Sequence, residues 1–343
     1  MRTTVTERLQ AYYQFDTSIL DNIERTAHEQ KGRTFSDLAD SYGIADGPEI
    51  IPATKHRKAL EVLTFRPSVD YDETYALVYQ APMAMSAKDM AMSALRLFAL
   101  APGAQLKVIG NPSAIGNRYN KLKASNLWKV WCGDLGPTVE PHLAYLQEQG
   151  ITSVDQIGYS LGADKVAAAS YLAKEKYGIK VLRGVFMEPA AVVERGLIRL
   201  TKDFASCKAK LDEYSAYGGP LSHEVRSRAG GIIDNTRYYA GLARLSNLAI
   251  ANSQAQEGFM SHVLCALSAS PDMQVTIAWG TESELAPHTV MLDIMKQLRN
   301  GKLQLASQIY GLMLEGMHHA GGCDIDLHAA VMLQGLKGVE NPM

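Results

Sequence analysis

The chain has 343 residues, of which 47% are hydrophobic and 20% are charged, and its formal net charge at pH 7 is −2. These values are typical of a soluble globular protein, and the near-neutral balance argues against binding to nucleic acid or an anionic membrane surface through net charge. No apolar run approaches the roughly 20 residues of a membrane-spanning helix. The opening MRTTVTERLQAYYQFD lacks the apolar core of a signal peptide, so we expect a cytoplasmic protein.

Cysteine usage agrees with that location. The cysteines are far apart and form no CxxC pair; they are Cys132, Cys207, Cys265 and Cys323. This pattern favours reduced thiols over a disulfide framework.

Residues 1–55 are predicted to form a helical N-terminal extension. Two sets of residues recur at helical spacing: Val5, Leu9, Tyr12 and Tyr13, then Ile19, Ile23 and Ala27. Asp16 or Thr17 is suited to cap the second helix, and RTFSDLADSYG predicts a short third helix that ends at Gly43. The stretch ADGPEIIPA is predicted to be a loop.

From residue 56 onward the pattern alternates between strands and helices. The predicted strands are ALEVLTFRP, TYALVYQAP, LKVIGNP, SVDQIGYS, IKVLRGVFMEP, DMQVTIAWG and YGLMLEG. Helices are predicted over 87–100, 137–149, 161–177, 287–299 and 326–336. Such alternation predicts an α/β fold, a mostly parallel central sheet with helices on both faces, built from residues 56–190 and 270–343. Residues 191–269 are helical and interrupt the sheet, so we expect them to form a cap or lid.

One short motif stands at a place where chemistry is expected. Residues 158–162 read Gly158, Tyr159, Ser160, Leu161 and Gly162. A Gly-x-Ser-x-Gly arises by chance in roughly one chain in ten of this length, so its position has to decide its meaning. Here it joins a predicted strand to a predicted helix, where a tight turn needs small flanking residues and exposes the serine hydroxyl.

The ordered set of elements resembles the α/β-hydrolase family. The resemblance rests on TYALVYQAP, LKVIGNP, QIGYSLGA, VLRGVFMEP, VTIAWGTESELAP and LEGMHHAGG, over about residues 59–190 and 270–335. It implies a nucleophile, an acid and a histidine in that chain order. Ser160 matches the nucleophile. Counting Gly-x-x-His from Gly316 selects His319 as the general base, with His318 as the alternative.

The acid is less regular. Family members often carry Gly-x-x-Asp after the penultimate strand, but counting from Gly280 gives Ser283. Glu282 and Glu284 flank that position. Glu188 ends the strand that follows the predicted helix 161–177, which is a second location for the acid in the family. We expect Glu284 to be the acid, with Glu282 and then Glu188 as alternatives.

The resemblance also implies an oxyanion hole. One donor would be the Leu161 N–H, and the other an N–H from the loop after TYALVYQ. That loop lacks the usual His-Gly pair, and Pro82 has no N–H, so Met83 is the expected donor with the Gln80 side chain as a helper. Asn117, Arg118 and Tyr119, in the loop after LKVIGNP, are expected to line the pocket.

Two other kinds of site are weakly represented. HHAGGCDIDLH contains metal-ligand residue types, but its spacing fits no ordinary zinc pattern. GNPSAIGNR lacks a phosphate-binding glycine motif. We therefore expect no metal and no cofactor.

The sequence favours a serine hydrolase that cleaves a small-molecule carboxylic ester or thioester, or an amide, through an acyl-enzyme. The alternative is a non-catalytic binding or structural subunit with the same fold. The N-terminal extension motivates it, because those helices are available to pair subunits or join a larger assembly. An excess of basic residues in residues 191–269 leaves open an anionic substrate, whereas the apolar residues there suit an acyl group.

Overall fold

The computed structural model describes residues 4–33, 35–44, 47–55, 57–83, 85–111, 122–216, 245–300 and 308–338. Asn117, Arg118 and Tyr119, the predicted pocket residues, lie outside these ranges.

Eight strands of the described chain form one sheet. They are β1 (Glu49–Ile51), β2 (Leu60–Phe65), β3 (Tyr75–Gln80), β4 (Gln105–Ile109), β5 (Ser153–Tyr159), β6 (Lys180–Met187), β7 (Gln274–Gly280) and β8 (Ile309–Leu314). Their spatial order is β1-β2-β4-β3-β5-β6-β7-β8. β2 runs antiparallel to both of its neighbours, and the other pairs are parallel. The predicted mostly parallel sheet is confirmed.

The register of the sheet brings the carboxyl ends of the central strands together. Gln80 lies beside Gly158, and Tyr159 beside Met187. On the far side, Gly280 pairs with Leu314. The loops that follow β3, β5, β6, β7 and β8 therefore meet at one edge, which is where ligands bind in sheets of this kind.

The helices cover both faces of the sheet. They are α1 (Val5–Gln10), α2 (Thr17–Glu29), α3 (Phe35–Tyr42), α4 (Ala91–Leu100), α5 (Ala124–Trp131), α6 (Gly136–Glu148), α7 (Leu161–Tyr177), α8 (Leu197–Ala216), α9 (Leu245–Gln254), α10 (Phe259–Ala269), α11 (His288–Asn300) and α12 (Ile325–Lys337). On one face, α6, α7, α10 and α11 bury a common apolar cluster against the strands. The other face is covered by α1 to α4 and α12, with Leu9, Ile23 and Leu38 fully buried. The N-terminal extension is thus part of the core.

Two elements differ from the sequence prediction. β1 lies where ADGPEIIPA predicts a loop, and α5 lies where no helix is predicted. β1 has only three residues and pairs along the sheet edge with β2, a contact that local sequence does not encode.

Within the described part of residues 191–269, the regular elements are the helices α8, α9 and α10. α10 packs against α7 and contributes Phe259 and Val263 to the cluster on that face. α8 instead contacts the turn that contains His319. No described helix is long and apolar enough to cross a membrane, and Cys132, Cys265 and Cys323 are free thiols.

Candidate active site

Ser160 occupies a strained turn between β5 and α7. Its backbone angles are φ 56° and ψ −130°, a region that non-glycine residues rarely adopt. The Ser160 N–H donates to the Met187 carbonyl at 2.9 Å, which ties the turn to β6. A persistent conformation of this kind marks a place where the surrounding structure holds a residue for function.

The two glycines of the motif are required by close backbone approach. A Cβ on Gly158 would lie 2.3 Å from the carbonyl carbon of Gly162. A Cβ on Gly162 would lie 2.2 Å from the Gln80 carbonyl oxygen. Neither site can hold a larger residue unless the backbone moves, so both glycines allow α7 to begin directly against β3 and β5.

His319 lies beside Ser160 in a short 3-10 turn that follows β8. Its Nε2 is 3.0 Å from Ser160 Oγ, and its Nδ1 is 3.1 Å from Glu188 Oε2. Both contacts are satisfied by a neutral imidazole in which Nδ1–H donates to the carboxylate and Nε2 accepts from the hydroxyl. The three residues form one hydrogen-bonded chain, and none is more than 5% exposed.

Glu188 is the carboxylate that the fold brings to His319. It lies just past β6 with a positive φ of 52°, and its side chain is fully buried. The Gly280 N–H donates to Oε1 and the Ser283 hydroxyl donates to Oε2. Ser283, at the position where the resemblance led us to look for an aspartate, therefore supports the carboxylate of another strand end.

Glu284 and Glu282, the two carboxylates ranked first by sequence, contact the neighbouring histidine instead. His318 Nδ1 is 3.3 Å from Glu284 Oε1, and His318 Nε2 is 2.8 Å from Glu282 Oε2. The geometry thus replaces Glu284 by Glu188 as the partner of His319. Glu188 reaches His319 because the backbone turns sharply at Glu188 and directs its side chain along the strand ends. One feature of the sequence is consistent with Glu188 as this partner: position 283 has no carboxylate.

Tyr159 supports His319 from below, a role that the sequence does not suggest. Its hydroxyl donates to the His319 carbonyl oxygen at 2.6 Å. Its ring stacks on the imidazole, with centroids 5.3 Å apart and an interplanar angle of 28°. Tyr159, the residue before Ser160, therefore restrains both the backbone and the ring of His319.

His328 forms a second buried layer under the same turn. Its Nδ1 is 2.8 Å from the Gly322 carbonyl oxygen and its Nε2 is 2.7 Å from the Tyr79 hydroxyl. Burial lowers the pKa of His328 to about 4, so its ring is neutral, with Nδ1 donating and Nε2 accepting. This residue fixes the histidine turn and is not free to bind a ligand.

The loop that carries Glu188 is held from α7. Asp164, fully buried, lies 3.3 Å from the N–H groups of both Ala190 and Ala191, so its carboxylate accepts from them. Burial raises the pKa of Asp164 to about 7, and the two backbone donors only partly offset that effect. The first turn of α7 therefore links the turn at Ser160 to the loop that carries Glu188.

The expected oxyanion donors lie at the start of α7 and after β3. Leu161 is the first residue of α7, where the N–H groups have no partner within the helix and the helix dipole favours negative charge. Met83 is partly buried in the loop after β3. The Gln80 side chain is turned inward, with its Oε1 2.9 Å from His142 Nδ1, so it is engaged away from this edge.

An apolar cluster of the helical segment lies next to Met83. We call it the cap cluster; it consists of Leu200, Ala251, Ala255 and Leu285, all buried. Met83 and Phe204 pack against it. Arg195, one of the basic residues of this segment, has structural partners. It pairs with Asp203 at 2.7 Å and donates to the Leu285 carbonyl at 2.8 Å. The side chains of residues 191–269 that pack near Met83 in this cluster are thus apolar.

The groups in HHAGGCDIDLH are used for other purposes. Asp324 caps α12 by accepting from the N–H groups of Asp326 and Leu327. His319 and His328 have the partners given above. Among the described residues, no group of three or more His, Cys, Asp or Glu side chains is arranged to hold a metal ion.

The order of the strands, and the hydrogen bonds that join Ser160, His319 and Glu188 at the strand ends, are arranged as in α/β hydrolases. No family model matches the sequence, and no curated protein matches it significantly. Solved structures do match. One is an α/β hydrolase enzyme from a Medee basin deep-sea metagenome library, at 13% identity and a TM-score of 0.54, covering 86% of this chain and 99% of that one.

Two further structures match over similar lengths. An enol-lactonase from Burkholderia xenovorans LB400 has 11% identity and a TM-score of 0.51, covering 81% of this chain and 97% of that one. A structure from a study of carboxylesterases of the thaumarchaeon Nitrososphaera gargenis has 12% identity and a TM-score of 0.51, covering 84% and 97%. The chain has the α/β-hydrolase fold.

Proposed function

We propose that this protein is a serine hydrolase that cleaves a carboxylic ester or thioester through an acyl-enzyme on Ser160. The observation that carries the proposal is the continuous hydrogen-bonded chain from Ser160 Oγ through His319 to Glu188. Nucleophile, base and orienting carboxylate in this arrangement are the requirements of acyl transfer.

The first half of the reaction forms the acyl-enzyme. Ser160 Oγ attacks the acyl carbon while His319 Nε2 takes the hydroxyl proton. Glu188 holds the ring in the required tautomer and stabilises the imidazolium. The N–H groups of Leu161 and Met83 are the proposed donors to the oxyanion. The bond to the leaving oxygen or sulfur then breaks, and His319 returns the proton to that atom.

The second half releases the acid. Water takes the place of the leaving group, gives a proton to His319 Nε2 and attacks the acyl carbon. The bond from that carbon to Ser160 Oγ breaks, and the proton returns to the serine. An amide would follow the same steps with a nitrogen leaving group.

The cap cluster supports an apolar acyl group as the preferred substrate. It packs against Met83, the proposed oxyanion donor, so the surroundings of that donor are apolar. Burial of each methylene contributes about 0.8 kcal/mol. Among p-nitrophenyl esters, kcat/KM is therefore expected to rise with acyl chain length from acetate to an intermediate chain.

A fluorophosphonate probe tests the nucleophile. The folded wild type is expected to label, and Ser160→Ala is expected to abolish labelling and to lower ester hydrolysis by up to about 10⁶. Ser170→Ala is the matched control, since Ser170 is a buried serine further along the same helix. Failure of the folded wild type to label would contradict the enzyme and favour a non-catalytic subunit, whereas labelling that persists in Ser160→Ala would contradict Ser160 as the nucleophile.

A further inference from the structure

The segment that carries His319 is tied at both ends to the N-terminal extension. We define the histidine segment as residues 315–324, between β8 and α12. At its start the Glu315 N–H donates to the Tyr12 carbonyl oxygen at 2.9 Å. At its end the Arg8 guanidinium pairs with the Asp324 carboxylate. Both partners come from residues 8–12, more than 300 positions away in the sequence.

The contact at the end of the segment is a buried one. Arg8 Nη1 binds Asp324 Oδ2, while Nη2 binds Asp326 Oδ2 at 3.0 Å. The Arg8 side chain is only 12% exposed and the Asp324 side chain is fully buried. An arginine fork held between two carboxylates is geometrically specific, and removal of one partner of a buried ion pair leaves an uncompensated charge.

Asp324 transmits this contact to the chain. Its Oδ1 accepts from the N–H groups of Asp326 and Leu327 and so fixes the start of α12, while its Oδ2 is held by Arg8. Arg96 binds the other side of Asp326 and also donates to Gln30 of the extension at 2.8 Å. The turn that contains His319 directly precedes this cap, so its end point depends on the extension.

We propose that the N-terminal extension positions His319, with Arg8 as the positioning residue. The distance from His319 Nε2 to Ser160 Oγ has little tolerance, since a displacement of about 1 Å can lower a catalytic rate by about 10²-fold. The extension is therefore a working part of the active site although none of its described residues touches the reacting atoms. This inference rests on the proposed function for its kinetic consequence.

The experiment compares two cations that bind the extension to α12. Arg8→Gln removes the contact at the histidine segment. Lys337→Gln removes the ion pair with Asp16 at the opposite end of α12 and serves as the matched control. Labelling by the fluorophosphonate is expected to be at least about 10-fold slower in folded Arg8→Gln and unchanged in Lys337→Gln, with folding of each followed by circular dichroism.

A second readout separates this inference from the proposed function. The proton on His319 Nδ1, hydrogen-bonded to Glu188, should give a low-field proton NMR signal that His319→Gln removes. In Arg8→Gln this signal is expected to broaden or disappear through faster exchange, whether or not the protein labels. A sharp wild-type signal in Arg8→Gln, or an equal loss of labelling in both variants, would overturn the inference.

Arg8→Lys covers the case in which Arg8→Gln does not fold. It keeps the positive charge but cannot hold two carboxylates in a planar fork. It is expected to fold and to label several-fold more slowly than wild type. A wild-type labelling rate and an unchanged low-field signal in Arg8→Lys would contradict the positioning role.

Discussion

At the scale of single residues, the site depends on which glutamate reaches which histidine. Sequence spacing placed Ser160 and His319, because both follow strands whose order is legible in the chain. It could not rank Glu188 above Glu284, because that choice depends on a positive φ at Glu188 and on donors from Gly280 and Ser283. The periodicity of apolar residues indicates which face of a helix or strand is buried. It does not indicate where a single side chain at the end of a strand points.

Exchange of each glutamate for glutamine tests this assignment. Glu188→Gln is expected to lower kcat by about 10³–10⁴, since an amide can favour the wrong tautomer of His319 and cannot stabilise the imidazolium. Glu284→Gln and Glu282→Gln, which alter contacts of His318 and none of those between His319 and Glu188, serve as matched controls and are expected to stay within a few-fold of wild type. Steady-state kinetics on one ester decide the matter: a larger loss in Glu284→Gln than in Glu188→Gln would restore the sequence-based ranking.

At the scale of elements, the long strands and helices were predictable and the contacts between them were not. β3, β4 and β5 are fully or nearly buried, so their apolar runs stand out in the sequence. β1 and α5 were missed because each is short and is stabilised by neighbours distant in sequence. The link that α7 forms between the turn at Ser160 and the loop that carries Glu188 also depends on such a contact, through Asp164.

Asp164→Asn tests that link through stability. In the unfolded chain this carboxyl ionises near its ordinary pKa of 3.8, whereas the folded protein keeps it protonated up to a pKa of about 7. The folded state is therefore penalised progressively as the pH rises from about 4 to 7, by at most about 4 kcal/mol. The free energy of unfolding of Asp164→Asn, relative to wild type, is expected to rise over that window and then to level off.

Denaturant titrations at several pH values provide the measurement. Loss of one acceptor for the N–H groups of Ala190 and Ala191 is expected to cost about 1 kcal/mol at every pH. Asp155→Asn on β5 is the comparison, because it removes a buried carboxylate away from the loop that carries Glu188. Asp155 pairs with Tyr75 and Arg183. A parallel pH dependence in wild type and Asp164→Asn would show that Asp164 ionises normally in the folded protein.

At the scale of the whole molecule, the fold buries ionisable side chains on both sides of the sheet. These side chains differ in whether the described chain gives them partners. On the side of the extension, Arg8 and Arg96 pair with Asp324 and Asp326. On the side of α6 and α7, Lys165 is fully buried and its Nζ has no hydrogen-bond partner in the described chain. His142 Nε2, also buried there, likewise has no partner. The pairs of Arg8 and Arg96 hold the histidine segment in place, whereas burial of Lys165 in its charged form costs stability.

Lys165→Met measures that cost. Burial lowers the pKa of Lys165 to about 7 from 10.5, so the charged form is disfavoured in the folded state. The penalty, up to about 5 kcal/mol, is complete below pH 7 and disappears as the pH rises toward 10.5, because there the unfolded chain also loses the proton. Lys165→Met, of similar length and apolar, is expected to be more stable than wild type at pH 6, with a gain that shrinks steadily above pH 7. Lys174 is exposed on the same helix, so Lys174→Met is expected to change the free energy of unfolding little. An equal effect of both substitutions, or a gain in stability that does not depend on pH, would mean that Lys165 reaches a partner or solvent in the folded protein.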